Sequence, residues 1–268
     1  MAGRKTGPPR LVATDLDGTL LRSDGTVSDR TRSVLAAVAA AGVPLVLVTG
    51  RAPRSVGAVV AETGHRGVAI CANGAVRWDP ASERALSQRL IPADVARAVT
   101  DDLRAVLPEL VFAAELPGLG FGHEPGYVPS RVWPGTPGPI ADVVGVGAVT
   151  VLGHHPVLGP DELLARTLPV VAGRLSVTAS SSRSFVELNA AGVDKATGLA
   201  AFAAELGLAA ADVVAFGDMP NDLPMLRWAG HAVAVAGAHP DVLAVADEVA
   251  GSNDDDAVAE VLARWFPG

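Results

Sequence analysis

Leu11-Val12-Ala13-Thr14-Asp15-Leu16-Asp17-Gly18-Thr19 is the stretch whose reading decides the fold. An apolar run of strand length ends in two carboxylates and a glycine turn, so a buried strand delivers acids to a loop at its carboxyl end. The strand is expected over 11–14, with Asp17 already in the loop. Read alone, Asp-x-Asp-Gly-Thr is also an ordinary turn, because Asp and Gly favour turns and Asp side chains bond nearby amides. The rest of the chain decides between these readings.

Outward from this stretch, short β-branched runs alternate with helical segments. Ser28 is the expected N-cap of a helix through Ala41, with Gly42 ending it. A strand follows over 44–48, then a helix over 53–62 and a strand over 68–71. This is the pattern of parallel βαβ units. It returns with a helix over 195–206 and strands over 213–216, 232–235 and 248–250. Between them the rhythm changes: helices over 93–107 and 160–168, strands over 110–115, 149–152, 174–178 and 185–188, and a Pro- and Gly-rich run over 117–139. The expectation is an α/β protein: a doubly wound, Rossmann-like parallel-sheet core over 1–79 and 185–268, with an inserted α+β cap over 80–184.

Composition limits the function. A chain of 268 residues with a net charge of −8 offers little to a nucleic-acid polyanion, whose affinity comes from Lys and Arg neutralising phosphates. Cys71 is the lone cysteine, so no internal disulfide is possible and a core role is expected. Arg4 and Lys5 are not followed by a signal-like apolar segment before the first strand, and the apolar run 34–48 is broken by Gly42 and Pro44. A cytoplasmic protein without a membrane segment is the expectation. Oligomeric state is not legible.

In an open α/β sheet, ligands bind where loops leave the carboxyl ends of the strands. Thr49-Gly50-Arg51 closes the second strand and offers a hydroxyl and amides at a helix start, where an anion is favoured. Lys195 opens a helix, a position mildly unfavourable for a cation unless an anion faces it. Gly217-Asp218-Met219-Pro220-Asn221-Asp222 follows an apolar strand and reads either as a helix start or as hard oxygen ligands of the kind magnesium takes.

Acid pair, Thr, Lys, then acid cluster, in this order, resembles the haloacid dehalogenase superfamily. The insertion between the second and third groups, together with Ala72-Asn73-Gly74-Ala75, resembles its Cof-type phosphatases with an α+β cap. The resemblance implies a phosphomonoester hydrolase for a small phosphorylated metabolite, by default a sugar phosphate. Asp15 is then the nucleophile and Asp17 the general acid and base. Mg²⁺ is implied on Asp15, Asp17, Asp218 and Asp222. Thr49, Gly50, Lys195 and Asn221 are implied around the phosphoryl group, with Asn73, Gly74 and Arg183 as further substrate-facing candidates. In the inserted region His123, Glu124, Tyr127, Arg131, His154 and Arg183 are candidates for leaving-group contacts. Two departures stand out: Ala196 follows the lysine where glycine is common, and Gly237 replaces a usual asparagine in 235–238, which is expected to loosen the loop at 217–222. The acidic run 252–256 reads as a helix cap. A phosphohexomutase-like phosphotransferase and a non-catalytic phosphometabolite-binding module are the alternatives.

Overall fold

Leu11, Val12 and Ala13 are fully buried, so β1 (Leu11–Thr14) has both faces covered and belongs in the interior of a parallel sheet. The computed structural model, which describes residues 7–127, 135–179 and 184–267, places it there. After β1 come α1 (Asp29–Ala40), β2 (Leu45–Val48), α2 (Gly57–Thr63), β3 (Ala69–Cys71), β4 (Val76–Asp79) and β5 (Arg84–Gln88). Ser28 caps α1, its hydroxyl accepting from Thr31 N at 2.9 Å, and Val34, Leu35 and Val38 form the buried stripe.

The chain then builds α3 (Ala93–Val106), β6 (Val111–Glu115), β7 (Phe121–His123), β8 (Thr136–Pro137), α4 (Ile140–Val143), β9 (Thr150–His154), α5 (Pro160–Val171), β10 (Leu175–Thr178) and β11 (Phe185–Ala190). It closes with α6 (Lys195–Glu205), β12 (Val213–Gly217), α7 (Leu223–Trp228), β13 (His231–Ala234), α8 (Pro240–Leu243), β14 (Glu248–Val249) and α9 (Ala257–Leu262).

Two compact units result: residues 1–86 with 195–268, and residues 87–194. The first holds a sheet ordered β14-β13-β12-β1-β2-β3-β4-β5. From β14 to β3 all neighbours are parallel, and β4 is antiparallel to β3. From β1 the chain winds to β2 and β3 on one side, and later to β13 and β14 on the other. The strand order therefore reverses beside β1, where doubly wound sheets open a crevice. Leu11 pairs with Val213 and Val12 with Leu45, so the carboxyl ends of β12, β1 and β2 finish level. Their inward residues join Leu199, Ala203, Met225, Leu226 and Val242 in one core.

The second unit is a sheet ordered β10-β11-β9-β6-β7-β8, antiparallel except for β7 with β8. Alternation buries Val151, Gly153, Val186 and Leu188, while α5 packs on β10 and β11. The opposite face gathers the rings of Phe121, His123, Tyr127, His154 and Phe185.

The expected boundaries shift. β11 pairs with both β10 and β9, so residues 185–194 belong to the second unit and not to the first. Residues 80–86 lie in the first unit with the β4 and β5 strands, which sequence reading passed over. Helix α5 runs through Pro169 to Val171, three residues past the expected end at 168. No helix among the described residues is long and apolar enough to cross a membrane.

Candidate active site

The site begins with backbone that few other sequences could adopt. Beyond β1, Asp15 N bonds Phe216 O at 3.0 Å, which holds the acid beside the end of β12. Gly18 turns with φ +79°, and a Cβ there would stand 2.5 Å from Asp218 Oδ2. Only glycine combines that conformation with the close approach of the second acidic loop.

Asp222 is fully buried and organises that loop from within. Its Oδ2 accepts the Asp218 and Met219 amides, each at 3.0 Å, and its Oδ1 accepts Lys195 Nζ at 2.6 Å. The same ammonium donates to Asp15 Oδ1 at 2.7 Å. Asp218 is held separately, its Oδ1 accepting the Thr19 hydroxyl at 2.6 Å. Lys195, at the start of α6, is therefore no surface lysine: its side chain is fully buried between two carboxylates.

Burial, reinforced by Asp222 and Asp218, holds the Asp15 carboxyl well above the usual carboxylate range against the opposing pull of Lys195. Burial and then Asp222 push Asp218 up to about 6. Burial alone would lower Lys195, but Asp15 and Asp222 outweigh it and hold the ammonium above its ordinary value. All three shifts express one imbalance. With every carboxylate ionised, three aspartates (−3) and one lysine (+1) would leave a formal net −2 in a desolvated place, which is why protonation is favoured there. Asp15, Asp218 and Asp222 each offer an oxygen, and these lie within 4.8 Å of one another. An all-oxygen donor set with a deficit of two charges fits a hard divalent cation.

The neighbouring strand ends bring polar groups to the same edge of the sheet. Thr14 is in register with Leu47, so Thr49 leaves β2 next to Asp15. Thr49 is buried, and its hydroxyl accepts Arg51 N at 3.1 Å, which folds Thr49-Gly50-Arg51 into a turn. Thr49 O accepts Asn73 N at 3.0 Å. Ala72 and Asn73 both have φ of +52°, a left-handed pair rarely seen without glycine, held in place by the bonds to Arg51 O and Thr49 O. Asn221 Nδ2 donates to Asn73 Oδ1 at 3.0 Å, joining the loops after β12 and β3, while its buried Oδ1 has no partner among the described residues. Asp17 lies outermost, paired with Arg51.

Asp15, Lys195, Asp218 and Asp222 thus meet directly, and Thr49, Gly50, Asn73, Gly74 and Asn221 stand on the loops at the same strand ends. Thr19 and Arg51 were visible only as members of their motifs, since neither a hydroxyl nor an arginine in a turn announces its partner. Gly237 sits in open space at φ +87°, and His239 N bonds Asp218 O at 2.8 Å, so the loop at 217–222 keeps a tie to the turn after β13. The acidic run 252–256 does more than cap: Asp256 pairs with Arg22 and Asp254 accepts both the amide and the hydroxyl of Ser23, fastening the segment after Thr19.

Of the candidates in the second unit, His123, Tyr127 and His154 meet in the ring cluster, with His154 and Phe185 in register and 4.9 Å apart. Glu124 is a structural residue. It accepts from Arg104 at 2.7 and 2.8 Å and from the Phe112 and Ile140 amides. Its oxygens are fully engaged inside the unit. Arg131 and Arg183 lie outside the described residues.

A family model described as haloacid dehalogenase-like hydrolase matches residues 12–115 and 160–262, and the chain belongs to that family. It is 27% identical over 258 residues to the 5-amino-6-(5-phospho-D-ribitylamino)uracil phosphatase YcsE of Bacillus subtilis (strain 168), covering 96% of this chain and 95% of that protein. It is 28% identical over 261 residues to the HMP-PP phosphatase of Cronobacter sakazakii (strain ATCC BAA-894), covering 96% of each. Among solved structures, SMU.1108c from Streptococcus mutans UA159 superposes with a TM-score of 0.82 over 97% of this chain and 100% of that one, at 19% identity. That likeness speaks to the fold.

Proposed function

We propose that the protein is a magnesium-dependent phosphomonoester hydrolase for a small phosphorylated metabolite. The observation that carries the reading is Lys195 buried between Asp15 and Asp222 with Asp218 alongside, an arrangement with a net −2 that favours a divalent cation. Membership of a hydrolase family whose end-to-end relatives are named phosphatases supports it.

The Asp15 and Asp218 carboxylates and the Asp17 backbone carbonyl would hold the ion, with Asp222 behind them, since both Asp222 oxygens already accept hydrogen bonds. Magnesium, when bound, supplies positive charge to the phosphoryl oxygens and orients the ester. Asp15 attacks phosphorus and forms an aspartyl phosphate as the ester P–O bond breaks. Asp17 gives its proton to the departing alkoxide. It then takes a proton from the water that attacks the aspartyl phosphate, which frees phosphate and restores both acids. Lys195, the Thr49 hydroxyl and the Gly50 amide stabilise the charge on the phosphoryl oxygens. Asn221 acts through Asn73 to hold two of these loops together. Substrate choice falls to the inserted unit. A sugar phosphate is the starting substrate class, and the phosphorylated intermediates named for the two relatives widen the panel.

Phosphate release from sugar phosphates, nucleotides, pyridoxal phosphate, 5-amino-6-(5-phospho-D-ribitylamino)uracil and HMP-PP, with Mg²⁺ or EDTA, tests this. Metal-dependent release from at least one ester, abolished in Asp15→Asn with the fold retained, is expected. A folded wild type that binds Mg²⁺ and releases phosphate from none of them sinks the reading.

A further inference from the structure

Arg51 belongs to the turn that closes β2, yet the chemistry above gives it no part. Its guanidinium meets the Asp17 carboxylate as a fork, Nε 2.6 Å from Oδ2 and Nη2 2.5 Å from Oδ1. The two members are unequal. The Asp17 side chain is 57% exposed on the loop beyond β1, whereas that of Arg51 is 16% exposed. The Arg51 backbone is also pinned at both ends, its N–H to Thr49 Oγ1 at 3.1 Å and its carbonyl to Ala72 N at 2.9 Å. Among the described residues no other hydrogen bond reaches the Asp17 carboxylate. The anchored arginine therefore decides where the carboxylate stands, and not the reverse.

We infer that Arg51 is the positioning residue for Asp17, holding both carboxylate oxygens of the proton-transferring group in place through its two-point fork. The inference rests on the reading of Asp17 as general acid and base. A fork fixes two oxygens and the carboxylate plane together, which a point-charge ammonium does not. Two competing roles give different results: Arg51 could bind the substrate directly, or form an exposed ion pair of little consequence.

A double-mutant cycle separates them. Arg51→Ala, Asp17→Asn and the double variant are assayed with an alkyl phosphate and with p-nitrophenyl phosphate. Departure of an alkoxide needs a proton, while p-nitrophenolate leaves without one. Arg51→Ala is expected to lower kcat on the alkyl ester roughly ten- to hundredfold, with KM held within about threefold. Its first burst of p-nitrophenolate should be nearly preserved. In the Asp17→Asn background it should cost nothing further. Arg51→Lys, which keeps the charge and loses the fork, should stay close to Arg51→Ala. If Arg51→Ala does not fold, Arg51→Gln, which keeps the aliphatic stem and loses the charged fork, takes its place.

A raised KM with unchanged kcat would make Arg51 a substrate-binding residue. Losses that multiply in the double variant, or full recovery with Arg51→Lys, would also overturn the inference. A folded wild type without activity on any ester sinks the hydrolase reading and this role with it; the other results sink the role of Arg51 alone.

Discussion

Lys195 is the residue on which stability and chemistry most directly meet. Removing one partner of a buried charge pair leaves the others uncompensated, and here two carboxylates lose the same cation. Lys195→Met should lower unfolding free energy at neutral pH by about 3–5 kcal/mol in metal-free protein, read from urea denaturation midpoints, and should remove phosphatase activity. An unchanged midpoint would mean that the carboxylates are held by something other than this ammonium. Gly18 makes a complementary case, because its demand is purely spatial. An added methyl meets Asp218 Oδ2 at 2.5 Å and must adopt φ +79°. Gly18→Ala should cost roughly 1–3 kcal/mol, and, because the strained contact is with Asp218, should weaken Mg²⁺ binding measured by titration calorimetry. A variant that loses stability but binds Mg²⁺ as before would show that the loop relaxes away from the acid.

At the scale of elements, helix α6 carries Lys195 at its first turn and must seat against β3 and the turn that follows it. Gly198 permits this, since a Cβ there would lie 2.8 Å from Ile70 Cγ2 and 2.9 Å from Gly74 Cα. Alanine is the better helix former by about 1 kcal/mol, so propensity and packing oppose each other. Packing should win: the backbone of Gly74 has no flexible end to move, and overpacking costs about 1–3 kcal/mol. Gly198→Ala should melt lower and lose activity together, and a rise in melting temperature would reverse that ranking. This element also marks what the sequence could reveal. β1, β2, β12 and α6 were legible because apolar runs ended in motif residues, and the order of those residues placed Asp15, Lys195 and Asp218 at one sheet edge. Less was readable where the deciding information was a partner. Val76–Asp79 alternates as a strand should, but its pairing with β3 is non-local; Phe185–Ala190 carries no mark of which sheet it joins. Glu124 looked available for a substrate because the Arg104 and backbone donors around it are fixed only in the fold.

On the scale of the whole molecule, the acidic cluster lies entirely within the unit made of residues 1–86 and 195–268, and residues 87–194 supply none of it. A ligand that binds only the native state stabilises by RT ln(1 + [L]/Kd), about 2.7 kcal/mol at a hundredfold excess over Kd. Bound magnesium would relieve a net −2 that burial leaves uncompensated, so the gain should concentrate where that charge sits. Hydrogen exchange with and without Mg²⁺ would resolve it by region. Amides of β1 and β12 are expected to gain protection, because the Asp15 N to Phe216 O bond joins those two strands beneath the acids. Asp218→Asn should abolish the gain by removing one of the offered oxygens. Amides of β6, β9 and β11 should be unchanged by that substitution in metal-free protein, since their ladder is closed within residues 87–194. If Mg²⁺ raises protection equally in both units, local charge relief is the wrong description, and the ion must instead act on a single cooperative unfolding of the entire chain.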